Sequence, residues 1–84
     1  MMTWTYRIIR YSDGRGLGLH EVFYDEAGKP VDMTSGPIAF TVETPEGPSA
    51  LVSMLKQALL DAERGAVLDE SVVRAAAARS PSDK

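Results

Sequence analysis

Apolar and polar residues alternate along the first third of the chain with the period of two that is typical of β-strands. Residues 3–11 carry Trp4, Tyr6 and Ile8 on one face, and we expect that face to meet the core because aromatic and β-branched side chains suit a pleated, half-buried surface. Residues 17–25 predict a second strand with apolar side chains on both faces. This strand is therefore either partly covered on both sides, or has a second face that forms a binding surface.

Turn-forming residues separate these strands and lead into a third. Residues 12–16 are rich in turn formers, and the Asp25–Lys29 segment predicts a hairpin with Gly28 in the left-handed position. A third strand begins at residues 30–33, breaks at 34–37 and resumes at 38–43. The pattern is compatible with one bent strand or with two.

After residue 46 the apolar residues recur every three to four positions, which is the period of an α-helix. Gly47 is the preferred cap, with Pro48 in the first turn; a competing start uses Thr44 as the cap and Pro45 as the first helical residue. Gly65 predicts the end of the helix. The apolar residues share one face, which we expect to pack on the sheet: Leu51, Met54, Leu55, Ala58 and Ala62, widened by Val52 and Leu59.

The order of these elements predicts an α+β fold, an antiparallel β-meander of three to four strands packed on one amphipathic helix, plus a short C-terminal helix or tail. Residues 1–70 form the predicted domain, and residues 71–84 a C-terminal extension that is partly helical and then disordered. We expect Val67 and Leu68 to dock on the domain. The helix after Asp69 is expected to fray, since its alanines bury little area.

Composition narrows the class of protein. The chain has 84 residues, 44% of them apolar and 25% charged, which indicates one globular domain. A net charge of −3 argues against a nucleic-acid partner. The absence of cysteine excludes disulfides and thiolate sites, and no apolar run approaches the ~20 residues that span a bilayer. We expect a cytoplasmic protein without a membrane partner.

His20 and Glu21 are the residues most suggestive of chemistry. They do not form a zinc motif, because the chain has a single histidine and the segment predicts a strand, where neighbouring side chains point to opposite faces. We therefore expect no metal, no cofactor and no catalytic residues. Glu21 is expected to pair with Arg7 or Arg10 across the sheet, and His20 is a less favoured candidate for a pH-sensitive group at a partner surface.

One helix covers only one face of such a sheet, which leaves the other face open to a partner. The candidate interaction face comprises Arg7, Arg10, His20, Glu21 and Tyr24, residue types that include those enriched in protein contacts. The sequence thus favours a small non-enzymatic protein-interaction or regulatory module that binds an unidentified protein or itself. The alternative is a small-molecule or ion-binding accessory protein, or an enzyme, that uses His20 and nearby carboxylates.

The chain resembles a family of short bacterial proteins of uncharacterised function. The resemblance rests on Trp4, Tyr6 and Arg7 of the first strand, on the Gly-Leu-His-Glu-Val-Phe-Tyr-Asp run of residues 18–25, and on Gly28-Lys29-Pro30. Residues 67–70 resemble a closing segment that follows the helix, whereas the Ala/Arg-rich extension departs from the pattern. The resemblance covers residues 4–70, supports the predicted element boundaries and implies no particular activity.

Overall fold

The computed structural model describes residues 3–42 and 44–78, which form a four-stranded sheet and two α-helices. The elements in chain order are β1 (Thr3–Arg10), β2 (Leu17–Tyr24), β3 (Pro30–Met33), a 3₁₀ turn (Thr44–Glu46), α1 (Gly47–Arg64), β4 (Leu68–Asp69) and α2 (Glu70–Ala78). The strand order is β3-β2-β1-β4, antiparallel except for the β1–β4 pair. The predicted α+β class with a mainly antiparallel sheet is confirmed, and the short parallel strand β4 is an addition to it.

The two predicted hairpins are present. In the β1–β2 connection, the Tyr11 N–H donates to the Gly16 carbonyl at 2.9 Å. In the β2–β3 turn, one carboxylate oxygen of Asp25 accepts hydrogen bonds from the N–H groups of Ala27 and Lys29, both at 2.9 Å. Gly28 has a φ of +83°, the left-handed conformation predicted for it, which glycine adopts without steric cost.

The third strand is shorter than predicted. The chain beyond Met33 still follows β2, because the Thr34 N–H donates to the Glu21 carbonyl at 3.0 Å and the Ile38 N–H donates to the Leu19 carbonyl at 2.9 Å. Residues 38–42 nevertheless form no regular strand, so the predicted resumption at 38–43 is wrong over that range; residue 43 lies outside the described residues. A regular ladder would pair the Gly36 N–H with the Leu19 carbonyl, so two extra residues precede Ile38 and interrupt the pairing at this point.

The main core lies between the sheet and α2. It consists of four side chains that are at most 4% exposed: Ile9, Val22, Met33 and Val73. Because strand residues alternate between faces, Ile9 is on the face opposite to Tyr6. The predicted core face of β1 is therefore only partly correct, since Tyr6 is buried but Trp4 is 46% exposed. The main core forms instead where α2 covers the Ile9 face.

The C-terminal segment is anchored to the sheet through residue 78. Leu68 and Asp69 pair with the end of β1, and the Arg10 guanidinium binds the Asp69 carboxylate at 2.8 Å. The Ser12 N–H donates to the Glu70 carboxylate at 3.0 Å, and Val73 has no exposed surface. Residues 70–78 are helical, and backbone pairing and the fully buried Val73 supply contacts that the alanines lack. The expected fraying after Asp69 stays a prediction. The predicted docking is confirmed for Leu68 and wrong for Val67, which is 38% exposed. The disorder predicted for the end of the chain concerns residues outside those described.

Helix α1 begins and ends where predicted. A 3₁₀ turn precedes it, Gly47 has a φ of +78° at the junction, and Pro48 lies in the first turn. The helix packs along β1, where the Tyr6 N–H donates to the Asp61 carboxylate at 3.1 Å and Ala58 is buried. These two contacts fix which side of α1 faces the sheet.

Candidate functional site

Four of the eight large apolar side chains that are exposed in the described chain lie on α1, among them Leu60 at 45%. Val52, Leu55 and Leu59 are 47%, 46% and 60% exposed. Their spacings of three and four residues place them on one side of the helix, and we call these three residues the α1 stripe. Single half-exposed apolar side chains scattered over a surface need no explanation. Three such side chains along one side of a helix form a contiguous patch of the kind that marks interaction sites.

The rotation of α1 about its axis explains why the stripe is exposed. Ala58 and Asp61 face β1, and successive helical residues are rotated by about 100°. Leu59 is therefore turned away from the sheet. The prediction that Leu55 belongs to the buried face is wrong for the same reason. The apolar residues of α1 therefore extend beyond the surface that faces β1, and the stripe lies in the exposed part.

Two opposite charges border the stripe on its solvent side. Lys56 and Glu63 are both exposed, and neither has an ion-pair partner among residues 3–42 and 44–78. They are seven residues apart, so they project from the same flank of the helix, separated by about 10 Å along its axis. This distance is too long for a salt bridge between them within one chain.

The structure divides the predicted interaction face between the two sides of the sheet. In the β1–β2 register Arg7 lies opposite His20, and this face also carries Tyr24, whereas Glu21 lies opposite Tyr6 on the other face. Arg10 shares the face of Glu21. The five residues therefore do not form a single surface.

His20 is buried, with 1% of its surface exposed, and both ring nitrogens have partners. Nδ1 lies 3.0 Å from the Thr34 carbonyl oxygen, which can only accept, so Nδ1 carries a proton and donates. Nε2 lies 2.7 Å from the Tyr11 hydroxyl, which donates to it. His20 consequently joins the β1–β2 connection to the segment after β3, and no ring nitrogen is left for a ligand.

Gly18 makes the contact between Tyr11 and His20 possible. A Cβ atom at position 18 would overlap the Tyr11 hydroxyl. The Tyr11 ring lies edge-on to the imidazole, with ring centroids 5.6 Å apart, and the Arg15 guanidinium stacks on its other side at 4.1 Å. The Gly-x-His spacing of β2 therefore has a packing explanation: the glycine gives space to the tyrosine that binds the histidine.

Arg7 forms a second polar network at the end of α1. Its Nη1 donates to the Tyr24 hydroxyl at 2.9 Å, and its Nη2 donates to the Ala66 carbonyl. Tyr24 shares a further hydrogen bond of 2.8 Å with the Thr5 hydroxyl. Gly65 is required here, because a Cβ atom at this position would overlap the Arg7 guanidinium. Arg7 thus ties the chain after α1 to the sheet.

The predicted pairing of Glu21 with an arginine does not occur in the described structure. Arg7 binds Tyr24 and Ala66, and Arg10 binds Asp69. Glu21 lies instead beside Tyr6. Burial is the main cause that raises the pKa of the Tyr6 hydroxyl, and the negative charges of Glu21 and Asp61 raise this pKa further.

The turn carboxylates also have structural partners. Asp13 accepts hydrogen bonds from the backbone N–H of Arg15, at 3.0 Å, and from its guanidinium, at 2.6 Å. These hydrogen bonds lower the pKa of the Asp13 carboxyl, and the bond from the backbone N–H has the largest effect. Asp13 and Asp25 therefore stabilise the turns in which they lie.

Neither metal ligands nor a membrane span are found in the described ranges. Residues 3–42 and 44–78 contain no group of three or more His, Asp or Glu side chains placed to hold a metal ion. Neither α1 nor α2 has the length and apolar character needed to cross a bilayer.

Comparison with known proteins found no family model, curated protein or solved structure that matches the chain. The resemblance of residues 4–70 to a family of short bacterial proteins therefore stays a prediction.

Proposed function

We propose that this chain is a small non-enzymatic protein-interaction module and that its binding surface is the α1 stripe. The observation that carries the proposal is the exposure of Val52, Leu55 and Leu59 along one side of a regular 18-residue helix. An amphipathic helix gains most of its stability by burying its apolar side, and here part of that side is left to a partner. Helix faces of this kind pack into grooves or against other helices in many protein complexes.

The environment of His20 does not support the alternative of an enzyme or ion-binding protein. A metal ligand or general base needs a free nitrogen within reach of its ligand or substrate. Both nitrogens of His20 are hydrogen-bonded inside the protein, and the residue is buried. Its role in the proposed function is to hold β2 and its neighbouring segments in place.

The residues behind the family resemblance support the same proposal. Arg7, Gly18, His20 and Tyr24 belong to the two polar networks that join the sheet to the segments around it. The residues shared with the family are therefore explained by their part in stabilising the fold, and not by a catalytic centre. We also propose that the chain belongs to that bacterial family and acts in the cytoplasm.

Site-specific photocrosslinking tests the proposed function. A photoreactive amino acid replaces Leu59 in cells that produce the protein, and the mass and peptide composition of each adduct are measured. The matched control replaces Leu17, which is also 60% exposed but lies on β2. We expect a polypeptide adduct, with another protein or with a second copy, from position 59 and not from position 17. The proposal is wrong if position 59 forms no polypeptide adduct.

A further inference from the structure

We infer that the α1 stripe binds the α1 stripe of a second copy of this chain, with the two helices antiparallel about a twofold axis beside Leu59. The inference rests on the proposed function, because it names the partner of the same surface. In a twofold interface the same patch serves both partners, so every contact from one copy to the other occurs twice. A surface suited to such pairing must complement itself when it is reversed end to end.

The charges next to the stripe meet this requirement. Lys56 and Glu63 project from the same flank, and the midpoint between them lies between Leu59 and Leu60. A twofold rotation about an axis through that midpoint places Lys56 of each copy at the same position along the helix axis as Glu63 of the other. This arrangement gives two equivalent ion pairs. In a parallel arrangement, these opposite charges would stay about 10 Å apart along the helix axis.

The apolar side chains fit the same axis. Leu59 is the most exposed residue of the stripe, at 60%, and lies next to the axis, where each copy meets its own equivalent. Leu55 lies one turn away. Val52 lies beyond the last residue of the partner helix, because this register places residue 52 at the height of residue 67 and α1 ends at Arg64. The pairing therefore covers the stripe at Leu59 and Leu55 and leaves Val52 at the edge of the interface.

A membrane surface is a less suitable occupant. Helices that lie on anionic membranes carry an excess of lysine and arginine on their polar face. The charged residues of α1 sum to zero: Lys56, Asp61, Glu63 and Arg64. The stripe is also short, so we expect a modest dimer affinity, with a dissociation constant on the order of tens of micromolar.

Sedimentation over a concentration series from about 1 to 500 µM measures the dimer and the effect of a charge placed on the axis. We expect the unmodified chain to dimerise within this range and Leu59→Glu to weaken the dimer at least tenfold. Val72→Glu is the matched control, because Val72 is also 60% exposed but lies on α2, and it should leave the dissociation constant unchanged. Far-UV circular dichroism verifies that both variants fold.

A charge-swap cycle tests the antiparallel register. Lys56→Glu and Glu63→Lys should each weaken the dimer roughly three- to tenfold, because each single change places like charges together twice. The double variant restores opposite charges and should return the dissociation constant to within about twofold of the original. Failure of the double variant to restore affinity would overturn the proposed register.

Cysteine crosslinking adds a positional test, since the chain has no cysteine of its own. Leu59→Cys should form a disulfide dimer on mild oxidation, because the two sulfurs lie near the axis. Val52→Cys lies on the same stripe but should not crosslink to itself, because the two copies of residue 52 are roughly 20 Å apart along the axis.

The outcomes separate this inference from the proposed function. A chain that stays monomeric at 500 µM, yet crosslinks from position 59 to a different polypeptide in cells, overturns the self-association and retains the interaction module. A chain that neither dimerises nor crosslinks to any polypeptide overturns both. A dimer that survives Leu59→Glu shows that self-association uses another surface, which also overturns the inference.

Discussion

The two helices of this protein use their apolar residues in opposite ways. Helix α1 has 18 residues and a wide apolar arc, yet Ala58 is its only fully buried side chain. Helix α2 has nine residues, four of them consecutive alanines, and it contributes Val73 to the centre of the core. The longer helix, which carries more large apolar side chains, therefore contributes less to the main core.

The difference between α1 and α2 shows that hydrophobic area and burial are separate properties of a helix. The position of α2 is set by contacts at its start, where Asp69 binds Arg10 and Glu70 binds the Ser12 N–H, so a single valine is enough to fill the core. The position of α1 is set by Asp61 and Ala58, and its remaining apolar residues exceed what β1 can cover. An excess of this kind is typical of a helix with a second partner.

The largest expected effect tests the role of α2. Val73→Asp buries a carboxylate in the apolar core, which we expect to lower the free energy of unfolding by more than about 3 kcal/mol. Val72→Asp is the control on the neighbouring residue, which is 60% exposed, and it should change this free energy by less than about 0.5 kcal/mol. Urea denaturation followed by circular dichroism measures both. Equal effects at the two positions would show that α2 does not pack on the sheet through Val73.

The second prediction concerns the connection from α1 to the sheet. Gly65→Ala places a Cβ atom against the Arg7 guanidinium and should cost about 1–3 kcal/mol of stability, because Arg7 must leave Ala66 or Tyr24. Gly36→Ala is the control, since its Cβ would meet no atom within 4 Å and its backbone is not left-handed. Denaturant melts that show the same small change for both variants would contradict the role of Arg7.

The fold could be predicted from local patterns where these patterns are strong. Alternation located β1 and β2, turn chemistry located Gly28, and the helical period located α1 from Gly47 to its end at Arg64. The parallel strand β4 could not be predicted, because two residues carry no periodic signal. The packing of α2 on the sheet was not predicted for a related reason: it depends on contacts with Arg10 and Ser12, some 60 positions away in the sequence.

The predicted interaction face is not a single surface in the structure. Residue type favoured Arg7, His20 and Tyr24, but the structure uses all three in internal hydrogen bonds. The sequence did carry a signal for the α1 stripe, since Val52 and Leu59 widen the apolar arc beyond one packing face. An arc of this width is compatible with deep burial or with a second partner, and the sequence does not give the rotation of α1 that decides which of its apolar residues are exposed.

A third prediction uses pH to examine the contact between α1 and β1. Burial and the charges of Glu21 and Asp61 raise the pKa of Tyr6 in the folded chain above its unfolded value of about 10. The folded state then binds more protons than the unfolded state at alkaline pH, so the stability that this group contributes is present below pH 10 and is lost as pH rises through the folded pKa. Denaturant melts from pH 8 to 11 should therefore show a steeper alkaline loss for the unmodified chain than for Tyr6→Phe. Identical slopes would contradict the burial of this hydroxyl beside α1.

The smallest expected effect is that of Leu55→Ala, and it separates the two surfaces of α1. Leu55 is 46% exposed in the single chain, and alanine favours helix more than leucine does, so the loss of stability should stay below about 1 kcal/mol. A fully buried leucine would instead lose about 2–5 kcal/mol. Melts at about 1 µM, well below the dissociation constant expected for the proposed dimer, measure this intrinsic cost.

The dependence of the melting temperature on protein concentration is a second measurement for Leu55→Ala. Dimerisation stabilises the folded state by mass action, so the unmodified chain should melt at a higher temperature at several hundred micromolar than at 1 µM. Leu55→Ala removes part of the paired surface and should reduce this concentration dependence while the melt at 1 µM changes little. Met54→Ala is the comparison variant, because Met54 precedes Leu55 and is the less exposed of the two, on the side of α1 toward β1. It should lower the melting temperature at every concentration and leave the concentration dependence in place. A loss of several kcal/mol for Leu55→Ala at 1 µM would instead show that Leu55 belongs to the core of the single chain.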